Sequence, residues 1–138
     1  MSWSVYFCAP LFTQAEWLWN ARLAAELRSR GLDIFLPQEG SAPMLYGTVP
    51  YDPGTLFRAN VAAIDASSAV VAILDQADPD SGTCWECGYA FARGKPVIGV
   101  RTDIRAGGDD PSLPVNLMLS QSCTHAIVLP FEKRDDVQ

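Results

Sequence analysis

Residues 70–90 read VVAILDQADPDSGTCWECGYA, and this stretch predicts how the whole chain is organised. The apolar run at 70–74 is typical of a strand buried on both faces. Three acids spaced by proline, serine and glycine then indicate a loop. Thr83 and Glu86 form a capping-box pattern, which predicts a helix with Thr83 as its N-cap. The segment is therefore expected to be a strand–loop–helix junction.

The acids of this junction are candidates for chemistry. At the carboxyl end of a parallel strand, Asp78, Asp80 and Glu86 would meet where open α/β sheets bind ligands. A helix N-terminus favours an ionised carboxylate, and an ionised carboxylate suits a nucleophile or a base. The simpler alternative, that Glu86 only caps the helix, stays open because the Thr-x-x-Glu pattern is common.

The bulk composition limits the class of protein. The chain has 138 residues, of which 49% are hydrophobic and 19% charged, and its net charge is −6. These values predict one globular domain. The negative charge argues against a nucleic-acid partner or an anionic membrane surface. The sequence shows no signal peptide and no apolar run of about 18 residues, so we expect a cytoplasmic protein without a membrane partner.

Apolar runs alternate with helical patterns, and this alternation predicts the topology. Strands are expected at 4–8, 33–37, 69–74, 96–100 and 126–129, and helices at 14–30, 55–66, 84–93 and 113–120. Residues 38–53 are expected to form a long surface loop that acts as a lid, and residues 131–138 a frayed tail. The predicted fold class is α/β, a single flavodoxin-like domain whose doubly wound parallel sheet has five strands in the order 2-1-3-4-5.

The switch point of such a sheet lies between its first and third strands, and the loops after these strands should form the binding crevice. Tyr6, near the end of the first strand, is expected beside the acidic loop. The crevice would then hold a phenol, several carboxylates and a helix N-terminus. No GxGxxG or GxxxxGK[ST] motif occurs in the sequence, which argues against dinucleotide and nucleoside triphosphate binding.

Cys84 and Cys87 form a CxxC motif with more than one interpretation. The motif follows a strand at a predicted helix start, as in thioredoxin-like redox proteins. A four-thiolate zinc site would need a second pair, but Cys8 and Cys123 are single and distant, so no metal is expected. Small packing residues in a reduced protein are the simplest interpretation, and the thiol–disulfide alternative stays open.

Three segments of the sequence, one of them within 70–90, are informative when they are considered together. They are YFCAPLFT at 6–13, DPDSGTCWECGYA at 78–90 followed by GKPVIG at 94–99, and VNLM at 115–118. In this order they resemble the nucleoside 2-deoxyribosyltransferase family, and the middle segment is the specific one. The resemblance implies an enzyme that exchanges the base of a 2′-deoxynucleoside for a free purine or pyrimidine base. It also implies a dimer or larger homo-oligomer. No cofactor is expected.

The resemblance implies a role for five residues. Glu86 would be the nucleophile, Asp80 the acid near the nucleobase, and Tyr6 the residue that orients the nucleophile. Asn116 of a neighbouring subunit would complete the sugar pocket, with Met118 close by. Attack of Glu86 on C1′ would form a covalent deoxyribosyl ester, and attack by a second base would give net retention.

Five more residues are expected to contact the substrate. Asp78 and Gly82 belong to the acidic loop, and Phe12 is a candidate to stack on the nucleobase. Gln38 is a candidate to contact a base edge from the lid. Asn60 stands where some family members carry an acid, which leaves the preferred base open.

Simpler roles and other functions remain as alternatives. Asp80 and Asn116 could serve only as helix caps, and Tyr6 only as a core residue. Trp85 is a candidate to stack on a nucleobase, but it is expected to pack in the core. The protein could instead hydrolyse 2′-deoxynucleoside 5′-phosphates, which requires phosphate donors at the 5′ end. A third alternative, after the transferase and the hydrolase, is thiol–disulfide exchange by the CxxC motif.

Overall fold

Five parallel strands form one sheet in the order β2-β1-β3-β4-β5, which confirms the predicted topology. The structure is a computed structural model that describes residues 2–129, and the tail predicted at 131–138 lies outside the described residues. The strands are β1 (Ser4–Cys8), β2 (Asp33–Phe35), β3 (Ala69–Ile73), β4 (Val97–Arg101) and β5 (His125–Val128). Within residues 2–129, no helix has the length and apolar character needed to cross a membrane.

Five helices connect these strands. They are α1 (Gln14–Ser29), α2 (Pro37–Leu45), α3 (Pro53–Ala66), α4 (Ser81–Ala92) and α5 (Leu117–Ser122). The sequence predicts α1 closely, because Thr13 and Glu16 form a complete capping box at its start. Gly31, just beyond its end, has the positive φ of a helix C-terminal glycine.

The prediction of a loop at 38–53 is wrong over the first half of this segment, where the chain forms α2. Pro37 lies in the first turn of this helix, where its fixed φ is favourable and its missing N–H costs nothing. The helix contains Gly40 and Pro43, so its composition alone suggests a loop. Tertiary contacts stabilise it, because Gln38 and Ser41 are buried and Arg28 of α1 pairs with Glu39 at 2.8 Å.

Two predicted helix starts are also wrong. The fourth helix begins at Ser81, with Asp80 rather than Thr83 as its N-cap, and Asp80 accepts a hydrogen bond from the Thr83 amide at 3.0 Å. The last helix begins at Leu117 instead of residue 113, because Asn116 caps it through the Met118 amide at 2.9 Å. Asp and Asn are among the strongest N-cap residues, so each sets the boundary.

Alternating side chains of the strands supply two core layers, one on each face of the sheet. Tyr6 and Cys8 of β1 point to the layer covered by α3, α4 and α5, whereas Val5 and Phe7 point to the layer under α1. Position in β1 therefore decides which side chains can reach α4.

The loops after β3 and β4 are tied together by one carboxylate at the carboxyl edge of the sheet. Asp75 accepts hydrogen bonds from the amides of Thr102 and Asp103 and from the Thr102 hydroxyl at 2.6 Å. This network fixes where the acidic loop leaves the sheet.

Replacing Asp75 by alanine should therefore destabilise the protein, by about 2 kcal/mol, because hydrogen bonds to a charged group are lost. Urea denaturation measures the change in the free energy of unfolding. Asp78→Ala is the matched control, because Asp78 is exposed and makes no side-chain hydrogen bond within residues 2–129. Equal stability of the two variants would show that the hydrogen bonds of Asp75 do not hold the two loops together.

Candidate active site

Glu86 occupies the sixth position of α4, on the side of the helix that faces β1. This position is beyond the first turn, where the effect of the helix dipole has largely decayed. The expectation that the helix N-terminus keeps Glu86 ionised is therefore wrong. The side chain is partly buried, and its environment is set by two neighbours on β1.

Both carboxylate oxygens of Glu86 accept a hydrogen bond from β1. The Tyr6 hydroxyl donates to Oε1 at 2.6 Å, and the Cys8 thiol donates to Oε2 at 2.8 Å. Tyr6 was expected near the acidic loop, whereas Cys8 was expected only to pack. The alternation of a strand could have identified Cys8, because residues two apart lie on the same face.

Opposing effects act on the ionisation of Glu86. Burial raises the pKa of its carboxyl group above the ordinary value, hydrogen bonds from Cys8 and Tyr6 lower it, and the Asp80 carboxylate raises it. The net pKa is raised. Burial also raises the pKa of the Tyr6 phenol and of the Cys8 thiol far above their ordinary values, so both groups remain protonated donors.

Asp80 stands at the start of the same helix and is close enough to influence Glu86. Its Oδ2 atom accepts from the Thr83 amide, whereas Oδ1 accepts no hydrogen bond from residues 2–129. A Cβ atom added at Gly82 would lie 3.1 Å from Oδ2, so glycine leaves room for this carboxylate. Asp80 is thus a helix cap that retains one oxygen for another partner.

A cavity of about 260 Å³ opens beside Glu86. Of the predicted substrate contacts, Gly82 and Asn60 line it together with Glu86; the remaining lining residues are Phe57, Val61, Ile64 and Trp85. The expectation that Trp85 packs in the core is wrong. Its side chain is 49% exposed, and it stacks on Tyr89 and meets the edge of Phe57.

Three other predicted substrate residues lie around a different cavity. Asp78, Asn116 and Met118 line a space of about 670 Å³ together with Cys84 and Gly88 of α4. Helix α4 separates this space from Glu86, because the residues that it turns to each cavity lie on opposite sides of the helix. Within one chain, the structure does not bring Asn116 and Met118 to Glu86.

The last two predicted contacts lie away from both cavities. Phe12 is 73% exposed and lines a third groove, of about 550 Å³, with Trp17 and Tyr46. Gln38 lies on α2 and not on a lid loop, and its side chain is buried. Its amide accepts from Asn20 at 3.0 Å and donates to the Trp17 carbonyl at 3.0 Å, so both of its ends have partners.

The CxxC motif lacks the features of a redox site. Cys84 and Cys87 lie inside α4 rather than at its start. Burial raises the pKa of Cys84 to about 11, whereas reactive cysteines have a lowered pKa. Within residues 2–129, no three His, Cys, Asp or Glu side chains are grouped so that they could hold a metal ion.

The fold and the site together define a flavodoxin-like α/β protein with a hydrogen-bonded carboxylate at its switch point. The chain belongs to the nucleoside 2-deoxyribosyltransferase family, because the profile of that family matches residues 5–118. No curated protein matches the sequence significantly.

Solved structures similar to this chain extend over nearly all of it. A conserved protein from Enterococcus faecalis is 26% identical, with a TM-score of 0.79 over 99% of this chain and 98% of that chain. The 2-deoxyribosyltransferase of Bacillus psychrosaccharolyticus is 21% identical, with a TM-score of 0.72 over 94% and 88%. The Leishmania mexicana 2-deoxyribosyltransferase is 22% identical, with a TM-score of 0.71 over 97% and 95%. The likeness to these two transferases establishes a shared fold.

The raised pKa of Glu86 predicts how stability depends on pH. A carboxyl group with a higher pKa in the folded state binds a proton more readily when folded. Stability should then fall as the pH rises from its unfolded pKa, about 4.3, through its folded pKa. Relative to Glu86→Gln, the wild type should become less stable over this range, as measured by urea denaturation at each pH.

Glu39→Gln is a control of opposite sign. The hydrogen bond from Arg28 lowers the pKa of Glu39, so the wild type should gain stability relative to this variant as the pH rises. The effect should be small because the pair is largely exposed. If the difference between wild type and Glu86→Gln does not change with pH, the assigned environment of Glu86 is incorrect.

Proposed function

We propose that this protein transfers 2-deoxyribose between nucleobases, through a covalent ester on Glu86. The observation that carries the proposal is the Glu86 carboxylate beside a cavity, with the Tyr6 phenol on one oxygen and the Cys8 thiol on the other. Two donors fix the orientation of the side chain and favour its ionised form despite burial. Family membership supports the same type of activity.

The first half-reaction breaks the N-glycosidic bond. Glu86 attacks C1′, the Glu86 O–C1′ bond forms, and the C1′–N bond breaks with its electrons passing to the base. A 2-deoxy sugar lacks the electron-withdrawing 2′-hydroxyl, so positive charge develops on C1′ more easily. The leaving base takes a proton from Asp80, directly or through water. The oxygen of Asp80 that is not used in capping is suited to this step.

In the second half-reaction a different base attacks C1′ of the ester and releases the Glu86 carboxylate. The incoming base returns a proton to Asp80. Each step inverts the configuration at C1′, so the overall result is retention, as in retaining glycosidases. Asn60 is proposed to face the base, since its amide lines the same cavity and offers both a donor and an acceptor. The substrate contacts of Phe12, Gln38, Asp78 and Gly82 stay predictions.

The charges that one chain brings to the cavity favour a free 5′-hydroxyl over a 5′-phosphate. A phosphate needs cationic side chains or backbone N–H groups as partners. The residues around the Glu86 cavity, within 2–129, include no lysine or arginine, while Glu86 and the nearby Asp80 are both acidic. Arg101, a buried guanidinium at the same edge of the sheet, donates to the carbonyls of Leu74, Gln76 and Arg105.

We further propose that a second copy of the chain completes the sugar site through Asn116 and Met118. The cavity beside Glu86 is about 260 Å³, below the roughly 300–1,000 Å³ of most ligand sites. Helix α4 keeps Asn116 on the far side of the same chain. A two-fold assembly that pairs these faces would bring Asn116 of one chain to Glu86 of the other.

Incubation with deoxyinosine and free adenine tests the transferase activity. We expect deoxyadenosine and hypoxanthine, separated and quantified by liquid chromatography. Glu86→Gln should reduce the rate by several orders of magnitude, because the nucleophile is lost. Glu39→Gln, a change of the same kind on the surface, should leave the rate unchanged.

The same assay distinguishes the alternatives. Release of base from deoxyinosine 5′-phosphate, with no exchange on deoxyinosine, would identify a nucleotide hydrolase and contradict the proposal. Mass spectrometry of the protein after a rapid acid quench with deoxyinosine alone should detect a deoxyribosyl adduct on Glu86. A protein that binds deoxyinosine without forming this adduct would be a binding module instead.

Mixing two defective variants tests the contribution of Asn116 across the interface. Glu86→Gln and Asn116→Ser should each be impaired, and serine still caps α5. Random mixed dimers have one intact site each, so mixing equal amounts should restore about a quarter of the wild-type activity. Mixing Glu86→Gln with Asn60→Ala should restore nothing, because these two residues act in one chain. No recovery in the first mixture would refute the shared site.

A further inference from the structure

Cys8 contacts the carboxylate of Glu86 but takes no part in the bond and proton changes of the mechanism above. It ends β1, its side chain is fully buried, and its Sγ atom lies 2.8 Å from Oε2 of Glu86. We propose that Cys8 is a positioning residue whose thiol holds the second oxygen of the nucleophile, an inference that rests on the proposed transferase function. Tyr6 holds the first oxygen, so the two residues of β1 together fix the plane of the carboxylate.

The direction of the hydrogen bond follows from the available protons. The Cys8 thiol has one proton and three neighbours that could accept it: Oε2 of Glu86 at 2.8 Å, the Thr83 carbonyl at 3.4 Å and the Cys87 sulfur. Sulfur is a weak acceptor, so the choice is between the two oxygens. The Thr83 carbonyl is neutral and also accepts from the amide four residues later in α4. The nearer, negatively charged oxygen is the better acceptor, so the thiol donates to Glu86.

A thiol suits this position because it is a weak donor. A strong donor or a cation on Oε2 would stabilise the ionised carboxylate and reduce its tendency to attack C1′. A thiol restricts the rotation of the side chain while withdrawing less electron density from the oxygen. Glu86 is thereby oriented by two neutral donors, and neither forms a salt bridge with it.

The groups that face Glu86 are few, which makes its ionisation a usable readout. Tyr6 and Cys8 reach it from β1, and Asp80 acts on it from the start of α4. From α3, the neutral amide of Asn60 lines the same cavity. Replacing Cys8 removes one donor to the charged form, which should raise the pKa of Glu86.

The test compares Cys8→Ala and Cys8→Ser with the wild type, with kcat and KM for base exchange measured across pH. Cys8→Ala should lower kcat roughly tenfold, the order expected for one hydrogen bond to a charged group, with little change in KM. The acid limb of kcat/KM should move to higher pH. Cys8→Ser keeps a donor to the charged form, so its acid limb should not move to higher pH.

Cys123→Ala is the matched control, because it removes a partly buried thiol that has no contact with Glu86. Its kinetics should equal those of the wild type. A purely structural role for Cys8 would lower stability in urea without moving the acid limb. An unmoved acid limb in Cys8→Ala, or an equal shift in Cys8→Ala and Cys8→Ser, would overturn the proposal.

An infrared measurement of the S–H stretching band provides a readout that needs no enzymatic activity. The difference spectrum between wild type and Cys8→Ser isolates the Cys8 band. The band should lie at the low frequency of a hydrogen-bonded thiol, and Glu86→Gln should shift it upward because a neutral amide is a weaker acceptor. An unshifted band would refute the Cys8 contact. Absence of base exchange in the wild type, with a shifted band, would refute only the transferase function.

Discussion

The hydrogen bonds that Tyr6 and Cys8 donate to Glu86 are the interaction on which the site depends. They join residues about 80 positions apart, and they require β1 to lie beside β3, the strand that leads into α4. In the order 2-1-3-4-5 the direction of winding reverses at this pair of strands. The topology therefore opens a crevice and also brings a phenol and a thiol under the helix that carries the carboxylate. A partly buried carboxylate is costly without such partners.

The strand order was predictable because it depends on coarse features of the sequence. Each strand is a short apolar run, each crossover contains a helical pattern, and parallel crossovers have one hand. Helix starts depend on which of several neighbouring residues caps the helix. Both Asp80 and Thr83 are good N-cap residues, and three positions separate them, so local sequence alone does not rank them. Helix α2 was missed because its stability comes from buried Gln38 and Ser41, which propensity does not reveal.

The pairing of Tyr6 with Glu86 could be expected from the topology. The sequence did not predict that α4 separates the predicted substrate residues into two cavities. Gly82, Trp85 and Glu86 line the cavity on one flank of the helix, whereas Ser81, Cys84 and Gly88 line the cavity on its other flank. This separation follows from the helical period and was in principle available from the sequence. The helix is apolar nearly all round, however, so no polar stripe indicates which face is exposed. The exposure of Trp85 follows from how α3 and α4 pack, which a single sequence does not disclose.

The chemistry of the site follows from holding a carboxylate with neutral donors. Burial favours the protonated form of Glu86, and the hydrogen bonds from Tyr6 and Cys8 offset part of this effect. An arginine or lysine partner would restore ionisation more fully, but it would also hold the carboxylate in an ion pair and lower its reactivity. In the proposed reaction, neutral donors would fix the direction of attack and leave a partly buried carboxylate. Because C1′ of a 2-deoxy sugar accepts positive charge readily, a well-oriented carboxylate of this kind would be sufficient as the proposed nucleophile. The burial of the Glu86 carboxylate therefore costs some folding stability. The proposed reaction requires this, because a carboxylate whose charge is only partly compensated is the better nucleophile.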